Sequence, residues 1–272
     1  MLKNLARALS FLTIIPLPFV SFEQGGKDLA DSASAFPLAG AVIGLIQALL
    51  AVLLLFILPP APVAVLILAA GFLVTRGLHA DGLADTADGL IGVMDREKSF
   101  KAMADSAIGV MGAVVLLLVY LFKFTLLSSA GKLFLPLAVF FMPLAGRWAI
   151  VLAGSLSKPA LEQGLGDLFL RSLGPAQLLK ASLGALLLLS LIFFSVPPLA
   201  VPVTAGLAVA LLTALLLARY ATRRLGGLTG DILGAVSELG ELGFLTAFYL
   251  VYSHSPFAAA LKMVVNSFVS YF

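Results

Sequence analysis

Long apolar runs broken by Pro- and Gly-marked interruptions set the frame of this chain. Runs over 36–58, 62–78, 111–128, 134–153, 178–195, 200–218 and 240–253 reach or approach the ~20 residues with which a helix crosses ~30 Å of hydrocarbon. A shorter apolar tail covers 257–272. Strand-type alternation is absent and Leu, Ala and Gly dominate, which favours helices over a β-barrel. The pattern predicts an all-α, polytopic transmembrane helical bundle of about seven spans, with an N-terminal interfacial helix and an apolar C-terminal tail. The N-terminus resembles a signal peptide, with Lys3 and Arg7 ahead of an apolar stretch. Pro16 and Pro18 interrupt that stretch, however, and no small-residue cleavage site follows at Ser21-Phe22-Glu23. The segment is read as retained, with Lys3, Asn4, Arg7 and Ser10 on its polar side.

The breaks differ in character. Pro59-Pro60-Ala61-Pro62, Ser128 to Leu133 and Val196-Pro197-Pro198 are short, and Lys132 is their only charge. The segments 21–35, 76–107, 154–177 and 219–241 are long and polar and hold all 14 acidic residues. Span parity puts these four on one side of the membrane, and their excess of Lys and Arg makes that side cytoplasmic. The expected location is thus a bacterial or archaeal cytoplasmic membrane, with one integral domain over 1–272 and its chemistry facing the cytoplasm.

Composition sharpens this picture. Mean hydropathy is +1.11 and charged residues make up 11%, against ~25% in soluble domains, so an ordinary soluble domain is excluded. A net charge of +3 is too weak to argue for nucleic acid and suits anionic lipid. With no cysteine, disulfide and thiolate chemistry are excluded. The chain alone leaves a homo-oligomer open.

Four polar clusters could carry chemistry. In Ala80–Leu90, Asp81, Asp85 and Asp88 fall within about 60° of one helical face. Three like charges that close raise one another's pKa unless a cation lies between them. Hard oxygen donors suggest Mg²⁺; the alternative is a solvated acidic loop with an Asp cap. His79, just ahead, would point about 160° away from Asp81 if the helix already held there. Asp105 and Ser106 precede Gly109 and Gly112; they either cap the third span or mark amides open to phosphate. Glu162-Gln163-Gly164-Leu165-Gly166-Asp167 is a Gly-rich polar segment with a weak signal. Arg223-Arg224 before Gly226-Gly227-Leu228-Thr229-Gly230-Asp231 suits phosphate or diphosphate, or else anchors a loop to headgroups. Asp231, Glu238 and Glu241 share a second helical face about 80° wide. Gly40 and Gly44 are read as a close helix–helix contact. Together these features point to transfer at a diphosphate.

His79-Ala80-Asp81-Gly82-Leu83-Ala84-Asp85-Thr86-Ala87-Asp88-Gly89 closely resembles the signature of the cobalamin synthase, or adenosylcobinamide-GDP ribazoletransferase, family. Phe36-Pro37-Leu38-Ala39-Gly40, Asp105-Ser106 with Gly109 and Gly112, Glu162 to Gly166, and Leu225 to Asp231 continuing to Glu238-Leu239-Gly240-Glu241 match in the same order. The likeness spans about 5–250. It implies Mg²⁺-dependent attack of the 3′-hydroxyl of α-ribazole, or of its 5′-phosphate, on adenosylcobinamide-GDP with release of GMP. On that basis Asp81, Asp85 and Asp88 would hold the metal, and His79 or a free carboxylate would take the hydroxyl proton. Arg76, Arg223, Arg224, Thr229 and Gly230 would hold phosphates. Asp105, Ser106, Asp231, Glu238 and Glu241 would contact substrate or a second metal. Ala107 departs from the family, where a basic residue follows the Asp-Ser pair; Lys101 or Arg76 would replace that contact.

Rival readings are a CDP-alcohol phosphotransferase, an aspartate-rich prenyltransferase and a transporter. The first has a longer Asp/Gly/Arg pattern than this run, which stops at Asp88-Gly89. The second expects two separated aspartate-rich helices. A transporter places ionisable groups near the midplane, where this chain has few, such as Lys123 and Arg147.

Overall fold

The computed structural model describes residues 1–17, 20–129 and 131–255, so the tail expected over 257–272 lies outside the described residues. Among the described residues twelve α-helices follow in chain order: α1 (Leu2–Leu12), α2 (Gly26–Ala33), α3 (Phe36–Leu55), α4 (Pro60–Val74), α5 (Leu78–Leu90), α6 (Arg96–Met103), α7 (Val110–Ser129), α8 (Phe134–Ser155), α9 (Leu165–Ser172), α10 (Pro175–Ser195), α11 (Ala200–Leu225) and α12 (Gly230–Ser253). Among the described residues six segments are long and apolar enough to cross a membrane: α3, α7, α8, α10, Pro197–Leu225 and α12. The all-α polytopic expectation holds.

The expected span over 62–78 takes another form. α4 is 15 residues long, about 22 Å at 1.5 Å per residue, and α5 leaves it at 89°. A shortened membrane arm therefore ends in a helix that runs across the polar end of the bundle. The long polar segments are also more helical than their composition suggests. α11 continues to Leu225 and α12 begins at Gly230, so only 226–229 separate them.

α8 lies at the centre, with Phe134, Leu135, Ala138 and Phe141 almost inaccessible to solvent. α3 crosses it closely. A Cβ on Gly40 or Gly44 would collide with the carbonyl of Pro143 or Phe140, the close approach expected of small residues in membrane helices. Phe134, Phe248 and Tyr252 stack toward the far end of the bundle.

α1 packs against α2. Arg7 is buried and pairs with Asp28 at 2.7 Å, and Asn4 donates to the Asp31 carbonyl and the Ser34 hydroxyl. Arg7 and Asn4 on its polar side thus dock on α2 and the turn after it, while Lys3 is exposed.

Candidate active site

The approach of α5 to α12 builds the site. Arg76 (φ 54) and Gly77 (φ 67) are both left-handed, which turns the chain out of α4. Gly82 then rides on the first turn of α12, where a Cβ would lie 2.7 Å from the Asp231 carbonyl oxygen. A Cβ on Gly234 would lie 3.2 Å from the Gly82 Cα. Leu83 buries against Val119 and Ala235. The small residues of the aspartate-rich run are therefore the contact face of α5, and the carboxylates occupy the other face. Asp81 is exposed and Asp85 and Asp231 are half-buried.

Burial, followed by the charges of Asp81, Asp231 and Asp88, pushes the Asp85 carboxyl up to about 6. Among the described residues no Lys or Arg pairs with Asp81, Asp85 or Asp231. Uncompensated oxygen donors suit a hard divalent cation. Among the same residues, however, no three His, Asp or Glu side chains already converge on one point.

Asp88 is committed elsewhere. Its two oxygens accept the N–H groups of Gly109 and Gly112, both at 2.8 Å. A Cβ at either glycine would collide with this carboxylate. The amides that the sequence offers to phosphate at the start of α7 are thus taken by the chain's own aspartate, which complements the helix N-terminus. Asp105 and Ser106 are exposed on the preceding turn, where Asp105 accepts from the Ala107 N–H at 2.9 Å.

A cavity of about 380 Å³ opens beside the carboxylates, walled by His79, Asp81, Gln163, Gly166, Thr229 and Asp231 among others. Such a volume falls in the usual range of ligand sites. Thr229 caps α12 by accepting the Ile232 N–H at 3.3 Å, and Gly166 lies against Gly230. Three of the four sequence clusters therefore meet around one cavity. The Asp105–Gly112 cluster does not line it and is tied to α5 through Asp88.

Glu238 and Glu241 are not open to substrate. Both are buried in α12, two to three turns beyond its start. Lys123 Nζ lies 2.6 Å from Glu238 and 2.7 Å from Glu241, and Arg147 pairs with Glu241 as well. These two basic residues are the buried partners of the two glutamates, which hydropathy alone does not reveal. The available signal is that a lone cation in an apolar span requires a partner. Arg147 Nη2 also donates to His79 Nδ1 at 3.3 Å. A guanidinium only donates, so Nδ1 is the acceptor and the imidazole proton sits on Nε2. In this arrangement His79 offers a donor to the cavity, not the lone pair a base needs. Arg224 donates to the carbonyls of Val93 and Met94 at 2.9 and 3.3 Å, tying loops together in place of a phosphate. Arg223 is exposed.

Residues 4–249 match the family model described as cobalamin-5-phosphate synthase. The chain belongs to this family. A Syntrophobacter fumaroxidans adenosylcobinamide-GDP ribazoletransferase is 40% identical over 262 residues, covering 93% of this chain and all of the relative. The enzyme of that name from Desulfitobacterium hafniense is 38% identical over 255 residues, 92% and 98% of the two chains. That from Acetivibrio thermocellus is 34% identical over 252 residues, again 92% and 98%. No solved structure matches. The match runs through the whole bundle, so the cavity and carboxylates of this cobalamin-5-phosphate synthase family member belong to the shared part of the chain.

Proposed function

We propose that this protein is an adenosylcobinamide-GDP ribazoletransferase whose reaction occurs at Asp81, Asp85 and Asp231. The observation that carries the reading is a group of carboxylates without cationic partners, beside a cavity, in a chain whose relatives bear that name. The acceptor's 3′-oxygen bonds to the cobinamide-linked phosphorus, the phosphoanhydride bond to GMP breaks, and the hydroxyl proton passes to a carboxylate of the cluster. Asp81, Asp85 and Asp231 would hold Mg²⁺, which when bound neutralises diphosphate oxygens and the leaving phosphate. The His79 Nε2–H and the amides at the start of α12 donate to substrate oxygens. The acidic face is cytoplasmic, as the charge of its loops favours.

Purified full-length protein in nanodiscs, given adenosylcobinamide-GDP and α-ribazole 5′-phosphate, is expected to yield adenosylcobalamin phosphate and GMP in equal amounts. EDTA should abolish both and Mg²⁺ restore both, as read by mass spectrometry. Folded protein that yields neither product with Mg²⁺ present would overturn the reading.

A further inference from the structure

A second cavity, of about 590 Å³, lies between α1, the α4–α5 junction and the start of α7. It shares Asp81 with the first cavity, so the two meet at the carboxylate cluster. Phe11, Phe22 and Phe72 supply an aromatic wall, and Arg76 is the one Lys or Arg lining either cavity among the described residues. Arg76 is also the one non-glycine residue with positive φ among those residues, a backbone conformation that L side chains rarely adopt. Strained residues of this kind cluster at active sites and ligand clamps. The guanidinium is exposed and, among the described residues, makes no hydrogen bond or ion pair.

We propose that this second cavity receives the acceptor, with the aromatic wall on its base, Arg76 on its 5′-phosphate and its 3′-hydroxyl directed to the shared wall at Asp81. The inference rests on the transferase reading. Charge complementarity decides the allocation. The donor's diphosphate belongs with the carboxylates and their cation, whereas a phosphomonoester finds a positive partner only at Arg76, where a guanidinium forms charge-assisted hydrogen bonds. A flat heteroaromatic base suits phenylalanine faces. The family's description, cobalamin-5-phosphate synthase, already implies a phosphorylated acceptor; what the cavity adds is Arg76 as the residue that holds that phosphate.

Arg76→Gly is the informative variant, because glycine accepts the left-handed backbone without strain and the fold is retained. KM for each acceptor, α-ribazole and α-ribazole 5′-phosphate, is measured with saturating adenosylcobinamide-GDP in nanodiscs. The substitution is expected to raise KM for the phosphate at least ten-fold more than KM for α-ribazole, with Arg76→Lys intermediate. Equal shifts for the two acceptors, or a shift confined to the donor's KM, would overturn the assignment. A lipid phosphate seated on Arg76 gives equal shifts that follow the anionic lipid content of the disc, and would overturn it too. Wild-type protein inactive with both acceptors would instead remove the transferase reading on which this one stands.

Discussion

Lys123→Met is expected to destabilise the protein by about 3–5 kcal/mol, the usual cost of leaving a buried charge without its partner. Lys123 is 1% exposed and serves two carboxylates at once, at 2.6 and 2.7 Å. Glu241 keeps Arg147 in the variant, but Glu238 is left alone inside the bundle. The companion change Glu238→Gln in the same chain removes that orphaned charge and should recover much of the loss. Denaturation of the purified single and double variants in mild detergent measures both effects. A single variant as stable as the wild type would show that the buried network carries no net stabilisation. The network also reaches the site. Arg147 bridges Glu241 and His79, so the single variant should lose activity through a loosened imidazole even below its melting temperature.

Asp85→Asn is expected to lower transfer by about 10²–10³-fold, a loss typical of removing one preorganised electrostatic partner of a transition state. Its effect on stability runs the other way. The carboxyl is pushed up to about 6 in the fold, above the ~3.9 of an unfolded aspartate. A raised folded pKa means the ionised form is disfavoured by the fold. In metal-free protein that penalty is therefore absent below about pH 4, develops up to about 6 and is fully present above it. Asparagine removes it, so in EDTA the variant should melt higher than the wild type at pH 7.5 and equally at pH 4. Full activity in Asp85→Asn at limiting Mg²⁺, or a lower melting temperature at neutral pH in EDTA, would count against an uncompensated carboxylate at this position.

Much of this fold is legible because hydropathy reports continuous apolarity. The runs over 36–58, 111–128, 134–153, 178–195 and 200–218 coincide with α3, α7, α8, α10 and α11. It fails where charges are compensated at a distance. Asp231, Glu238 and Glu241 depress the local signal, so the last span reads as starting at 240, whereas α12 starts at Gly230. The partners that keep Glu238 and Glu241 inside it, Lys123 and Arg147, belong to other helices. Direction is likewise invisible to a hydropathy window. The 89° turn between α4 and α5 is marked only by Arg76-Gly77, two residues in an otherwise unremarkable sequence.

At the site, helical periodicity correctly puts Asp81, Asp85 and Asp88 on one face. It gives no hint that Asp88 is drawn to the α7 amides, because that contact joins residues 21 and 24 positions apart. Glycines are the more informative residues in retrospect. Gly82 and Gly234 bring α5 onto α12, and that crossing adds Asp231 to the charges beside Asp85.

The central claim is that Asp81, Asp85 and Asp231 share one divalent cation. Electron paramagnetic resonance of Mn²⁺ added to purified, metal-stripped protein tests it most directly. The account predicts one Mn²⁺ bound per chain, displaced by Mg²⁺, weakened at least ten-fold in Asp85→Asn and in Asp231→Asn, and unaffected in Glu97→Gln, an exposed position on α6. Equal binding in the wild type and both aspartate variants would contradict it.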